Sequence, residues 1–169
     1  GGLNGKWDKA TDDADQAYLA KCDAIAAAHG GPLDARSEGN IRTLLTEVQP
    51  FARESLRKIR AAGLDARIIS GTRTYAEQHA LFLKRPRVTK ADAGQSWHNF
   101  GRAWDVGIFK AGKYLADGPE YAQAASHGKI PGVEWGGDWK SFKDKPHYQV
   151  IGDFKTLAAV RKSFESGGR

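Results

Sequence analysis

The chain has 169 residues, 40% hydrophobic and 27% charged, which excludes a mainly disordered chain and suits one domain with its own core. Its 26 basic and 20 acidic residues leave a net charge of +6, which favours polyanionic partners or simply keeps the chain soluble. No apolar run reaches the roughly 18–20 residues of a membrane span, and the lone Cys22 excludes an internal disulfide.

The start, Gly1 to Gly5, carries no initiator Met and no secretory signal, and reads as a trimmed end. Trp7 has no assignable role. Tyr18, Cys22 and Ile25 stand at helical spacing, so a helix is expected from Asp12 to Ala28, stopped by Gly30-Gly31-Pro32. Cys22 then fits a small buried apolar residue better than a nucleophile. A polar link, Asp34 to Asn40, follows. Ile41, Leu44, Leu45, Val48, Phe51, Ala52, Leu56 and Ile59 predict a long amphipathic helix ending at Gly63, kinked or divided by Pro50. On it Arg53, Arg57, Lys58 and Arg60 read as a solvated face.

Ala66 to Ser70 predicts a short strand. Thr74 followed by Glu77 is a capping box opening a helix from Tyr75 to Leu83. Lys84 to Trp97 shows no periodicity. Its run Lys84, Arg85, Arg87 and Lys90 suits a solvated loop, or a contact with anionic wall polymer. Arg102 to Phe109 predicts a strand with Trp104, Val106 and Ile108 facing the core. Pro119 suits the start of a helix from Glu120 to His127. His147 to Ile151 predicts the last strand, and Asp153 a cap for a final helix, Phe154 to Phe164. The tail, Ser166 to Arg169, is expected to fray. Helices followed by short strands imply an α+β fold with a small, mostly antiparallel sheet. No Gly-rich phosphate loop is present, which leaves nucleotide chemistry without support.

Three segments carry chemistry: Ser70 to Tyr75, Ser96 to Asp105, and Asp144 to His147. Hydrolytic zinc sites take three protein ligands and keep a position for water. His98 and Asp105 lie seven apart, and Gly101 allows a turn between them, so His98 can sit on a loop and Asp105 on the strand after it. Ala103, Asp105 and Gly107 share a face of small side chains, which leaves room for an ion and a substrate. A carboxylate in so apolar a strand is costly unless paired or metal-bound. His147 can supply the third ligand. Asp144, three residues earlier, is placed to take a proton from water at the metal. Glu134 is a rival base or a structural carboxylate. Trp135 and Trp139 either wall the cleft or pack, and Asp138 suits a turn. His79, His29 and His127 are not assigned to metal, the last two sitting at predicted helix C-termini.

The runs Ser70-Gly71-Thr72-Arg73-Thr74-Tyr75, Ser96-Trp97-His98-Asn99-Phe100-Gly101-Arg102-Ala103-Trp104-Asp105, Glu134-Trp135-Gly136-Gly137-Asp138-Trp139 and Asp144-Lys145-Pro146-His147 together resemble the zinc D,D-peptidase family, peptidase family M15. Within it the chain is most similar to L-alanyl-D-glutamate endopeptidases and phage endolysins. The resemblance covers about Asn40 to Ile151. It implies a hedgehog/D,D-peptidase-like fold, with residues 37–166 as the zinc peptidase domain and 1–36 as an N-terminal helical extension. It implies one zinc ion on His98, Asp105 and His147, with Asp144 as catalytic base and Arg73 beside the substrate carbonyl. Some relatives use Glu as the base, so Asp144 is a shorter variant. Ser96, Trp139 and Glu134 are the expected substrate contacts.

The implied activity is zinc-dependent cleavage of the L-Ala-D-Glu bond in bacterial peptidoglycan by a monomer acting at the cell wall, outside the cell or in the periplasm, whether phage-encoded or bacterial. The alternatives are a D-alanyl-D-alanine carboxypeptidase or dipeptidase using the same site, and a non-hydrolytic hedgehog-like binding module. Binding to nucleic acid rests on net charge alone and is not expected.

Overall fold

The computed structural model describes residues 8–86 and 88–167, so Trp7, Arg87 and the end of the tail lie outside the described residues. Helix α1 (Lys9–Ala28) is capped by Asp8, whose side chain accepts from the Thr11 amide. It ends where Gly30 and Gly31 take φ of +87° and +84°. Cys22 and Ala26 are buried against the domain, as the helical spacing predicts. The Tyr18 hydroxyl donates to the Arg42 carbonyl at 2.6 Å.

The polar stretch after Pro32 is not a link. It forms α2 (Ala35–Ile41), capped by Asp34. The boundary expected at 36/37 falls inside this helix. Its polar residues have partners: Glu38 pairs with Arg53 at 2.7 Å with both side chains buried, and also accepts from the Leu33 amide. Arg53 is therefore not part of a solvated face. Arg60 pairs with Asp34 at 2.5 Å, and Arg57 donates to the Gly30 carbonyl at 2.8 Å, so only Lys58 behaves as a surface cation should. The long helix is divided: the chain turns after Ile41 and restarts as α3 (Gln49–Ala61), with Pro50 in its first turn, where a missing N–H costs nothing.

Five strands follow: β1 (Asp65–Ser70), β2 (Ala103–Lys110), β3 (Lys113–Leu115), β4 (Glu134–Trp135) and β5 (His147–Gln149). All pairings are antiparallel, in the order β1-β2-β5-β4, with β3 on β2. This is the expected small antiparallel sheet. One face takes Trp104, Val106, Ile108, Ile68 and Tyr148 into a core shared with Leu56 and Ile59 of α3. The Trp104 and Tyr148 rings stack at 6.1 Å. Helix α4 (Tyr75–Leu83) opens with the predicted capping box, both halves formed.

α5 (Glu120–Gly128) starts after Pro119, as expected. The last helix, α6 (Leu157–Glu165), begins later than expected because Thr156, not Asp153, accepts from the Ala159 amide. Its Phe164 meets Phe100 at 5.4 Å. No helix among the described residues is long and apolar enough to cross a membrane.

Candidate active site

Asp105 lies in β2 between two partners. It faces His147 of β5 on one side and Ser70 of β1 on the other. Directly opposed residues in an antiparallel pair point to the same face, so Asp105 and His147 emerge together. His98 comes from a single 3-10 turn, Trp97–Phe100, just before β2. That turn ends on Gly101 at φ +65°, a left-handed position that suits glycine. The reversal there brings His98 back over the strand, as the expected turn at Gly101 requires.

The three side chains converge. His98 Nε2 is 3.3 Å from Asp105 Oδ1 and 3.2 Å from His147 Nδ1, and His147 Nδ1 is 3.6 Å from Asp105 Oδ1. One ligand atom from each lies within 4.8 Å of the others. The outer hydrogen bonds fix what these atoms offer. His98 Nδ1 lies 2.7 Å from the Gly71 carbonyl, which can only accept, so Nδ1 carries the proton and Nε2 a lone pair. Gln149 Nε2 donates to the Glu134 carboxylate at 3.0 Å, which turns its Oε1 toward His147 Nε2 at 2.9 Å. His147 therefore donates through Nε2 and presents the Nδ1 lone pair inward. Two imidazole lone pairs and a carboxylate oxygen aimed at one point repel one another unless a cation lies between them. The donor set suits a metal that takes nitrogen and oxygen ligands.

The electrostatics agree. Burial opposes ionisation of Asp105, but His98, His147 and Arg73 outweigh it and hold the carboxyl well below its usual range. Burial pushes the His98 pKa down. For His147 burial acts in the same direction, yet the neighbouring Asp105 carboxylate, which favours the imidazolium, lifts it above the ordinary value. Asp144 is half-buried, and desolvation followed by the Asp105 charge raises its pKa.

Arg73 donates to Ser70 Oγ at 3.1 Å and Gln78 Oε1 at 3.2 Å, pairs with Asp105, and reaches His98 Nε2 at 3.2 Å. Asp144, Ser96 and Trp139 line one cleft with Arg73, His98 and His147. The Ser96 hydroxyl also accepts from the His98 amide at 3.4 Å. The Trp139 ring stands 4.9 Å from that of His147. Trp135 instead packs on the core, and its indole donates to the Lys145 carbonyl at 2.6 Å. Glu134 borders a neighbouring groove with Trp139, while its carboxylate engages Gln149. Asp138 sits in a turn and pairs with Lys129. His79 pairs with Asp92 at 2.7 Å, and His29 and His127 lie at helix ends, as expected.

Gly107 does not open the cleft. A Cβ there would lie 2.9 Å from Ile69 and 3.1 Å from Tyr114, so its smallness serves packing. Gly136 has a part the sequence did not show. A Cβ on it would meet the Asp144 carbonyl at 2.5 Å and the Asp144 and His147 Cβ atoms at 3.1 Å. Gly136→Ala is expected to displace Asp144 and lower kcat about 100-fold, measured beside the zinc content of the variant. Gln149 was also missed, although its place two residues after His147 puts it on the same strand face. Gln149→Ala is expected to weaken metal binding about 10–100-fold in competition with a chromophoric chelator.

Comparison with known proteins agrees with this geometry. A family model described as D-alanyl-D-alanine carboxypeptidase, an M15 peptidase model, matches residues 89–150. The chain is 32% identical over 125 residues to the peptidoglycan L-alanyl-D-glutamate endopeptidase CwlK of Bacillus subtilis (strain 168), covering 63% of this chain and 75% of that protein. It is 31% identical over 121 residues to the L-alanyl-D-glutamate peptidase of Listeria phage A118, covering 68% of this chain but only 41% of the phage protein. The crystal structure of the Serratia marcescens L-Ala D-Glu endopeptidase ChiX superposes with a TM-score of 0.58 at 29% identity, over 73% of this chain and 93% of that one. The vancomycin-resistance D,D-pentapeptidase VanY, solved with Zn(II), shares the fold at a TM-score of 0.51 and 19% identity, over 74% of this chain and 80% of that one. The chain thus belongs to the M15 peptidase family, and within that family it resembles the L-alanyl-D-glutamate endopeptidases.

Proposed function

We propose that the protein is a zinc-dependent peptidoglycan hydrolase that cleaves the L-Ala-D-Glu bond of stem peptides at the bacterial cell wall. The observation that carries this reading is the convergence of His98, Asp105 and His147 in a cleft that also holds the half-buried Asp144. Those three residues would hold the ion, with Gly71 and the Gln149–Glu134 pair orienting the imidazoles. Zinc, when bound, supplies a Lewis acid that acidifies water and polarises a carbonyl.

The chain's own groups do the rest. Asp144 accepts a proton from the attacking water and returns it to the amine of D-Glu as the C–N bond breaks. Arg73 sets its charge where the carbonyl oxygen becomes negative. No covalent intermediate with the chain is needed. Ser96 and Trp139 position the peptide, and Glu134 acts through Gln149. The protein works as a monomer, helped onto the anionic wall by its positive charge.

The rival is carboxypeptidase action on a D-Ala-D-Ala terminus, the activity named in the description of the matching family model. Incubating the zinc-loaded protein with an L-Ala-D-Glu peptide and, separately, with a D-Ala-D-Ala peptide distinguishes the two. Cleavage of the first alone is expected. Cleavage of the second alone would move the reading to the carboxypeptidase.

A further inference from the structure

Among the described residues, the cleft is lined by one carboxylate, Asp144, beside Arg73, His98 and His147. A substrate carboxylate that enters near Asp144 needs a cation of its own. The Arg73 guanidinium is already paired with Asp105. The cleft wall carries one further cation, Lys90. Its ammonium lies 5.0 Å from the centre of the Phe142 ring and has no ion-pair partner among the described residues. Phe142 is 40% exposed, a large apolar surface that its role as a shelf for Lys90 accounts for.

The segment is anchored immediately after Lys90, at Ala91 and Asp92. The buried Gln78 donates to the Ala91 carbonyl at 2.8 Å while its Oε1 accepts from Arg73. The Asp92 carboxylate is held by His79, and the Asp92 amide donates to Gln95 Oε1 at 3.2 Å. Lys90 is therefore a positioned cation on the rim of the reacting site.

We propose that Lys90 recognises the free α-carboxylate of the residue that supplies the leaving amine, and so selects D-Glu over its α-amide, D-isoglutamine. This rests on the endopeptidase reading above. In that substrate the carboxylate sits on the carbon bonded to the scissile nitrogen, and a single uncharged amide replaces it in amidated walls. Lys90 then determines which wall chemotype is cut.

The test uses two γ-linked L-Ala-D-Glu-L-Lys peptides, one with the free α-carboxylate and one with the α-amide. Zinc-loaded wild type is expected to favour the carboxylate by roughly tenfold, mainly in KM. In Lys90→Gln the ratio should collapse toward one, and Lys90→Arg should restore most of it. An unchanged ratio in Lys90→Gln would overturn the proposal while leaving the endopeptidase reading intact. Calorimetry on the zinc-loaded Asp144→Asn protein, alone and combined with Lys90→Gln, reads binding without turnover. Lys90-dependent preference in binding, with neither peptide cleaved by wild type, would sink the endopeptidase reading and support the contact. Binding of neither peptide would overturn both.

Discussion

Asp144→Asn should lower kcat by about 10²–10⁴-fold while the protein still binds one zinc. The amide keeps the shape of the side chain but cannot accept a proton, and Asp144 is not among the three converging donors. The same change should raise the melting temperature of the chelated protein near neutral pH. Burial and the Asp105 charge raise the Asp144 pKa in the fold, so its ionised form is disfavoured there relative to the unfolded chain. Between the ordinary carboxylate pKa and the raised one, the folded state binds more protons than the unfolded state. The Asp144 contribution to stability therefore improves as pH falls through that window, and at neutral pH it is a cost that Asn removes. Melting curves of chelated wild type and variant should separate at neutral pH and approach each other toward acid. A variant that loses activity and also melts lower would instead make Asp144 structural.

Removing the metal should have the second large effect. Chelation, His98→Ala or His147→Ala should each bring hydrolysis down to background, and the variants should retain less than one zinc per chain. Ligand linkage predicts that zinc at 1,000 times its Kd stabilises the fold by about 4 kcal/mol, so chelation should lower the melting temperature. Bound zinc would also relieve the mutual repulsion of the inward lone pairs of His98 and His147 beside Asp105. His127→Ala, an exposed site in the last turn of α5, is the control and should keep both zinc and activity. Activity that survives in the chelated protein would remove the metal from the account.

Much of this was legible in the sequence, for identifiable reasons. The capping box at Thr74 and Glu77 involves neighbours in the chain, so it could be read locally. The alternation in Trp104, Val106 and Ile108 marks a strand with one face in the core. Asp105 stood out because a carboxylate in an apolar strand needs a partner, and His98 and His147 because they stand with it in runs that resemble the M15 family. What was missed depends on partners distant in the chain. The stretch from Asp34 to Asn40 looked like a link because the value of Glu38 lies in Arg53, fifteen residues away. The same pair took Arg53 from an expected surface into the interior. Gln78, which joins Arg73 to the Ala91 carbonyl, has no local signature, since its two partners meet only after α4 packs beside the cleft. The parts played by Gly136 and Gly107 were not legible because the atoms crowding them come from other strands and loops.

The most direct test is the chemistry of the cut. Purified peptidoglycan should be digested with zinc-loaded protein, chelated protein and Asp144→Asn, and the new ends identified by mass spectrometry. New free amino groups on D-Glu are expected from the zinc-loaded protein alone. Release of D-Ala without them, or no new ends from any wall type despite one bound zinc per chain, would contradict the endopeptidase reading.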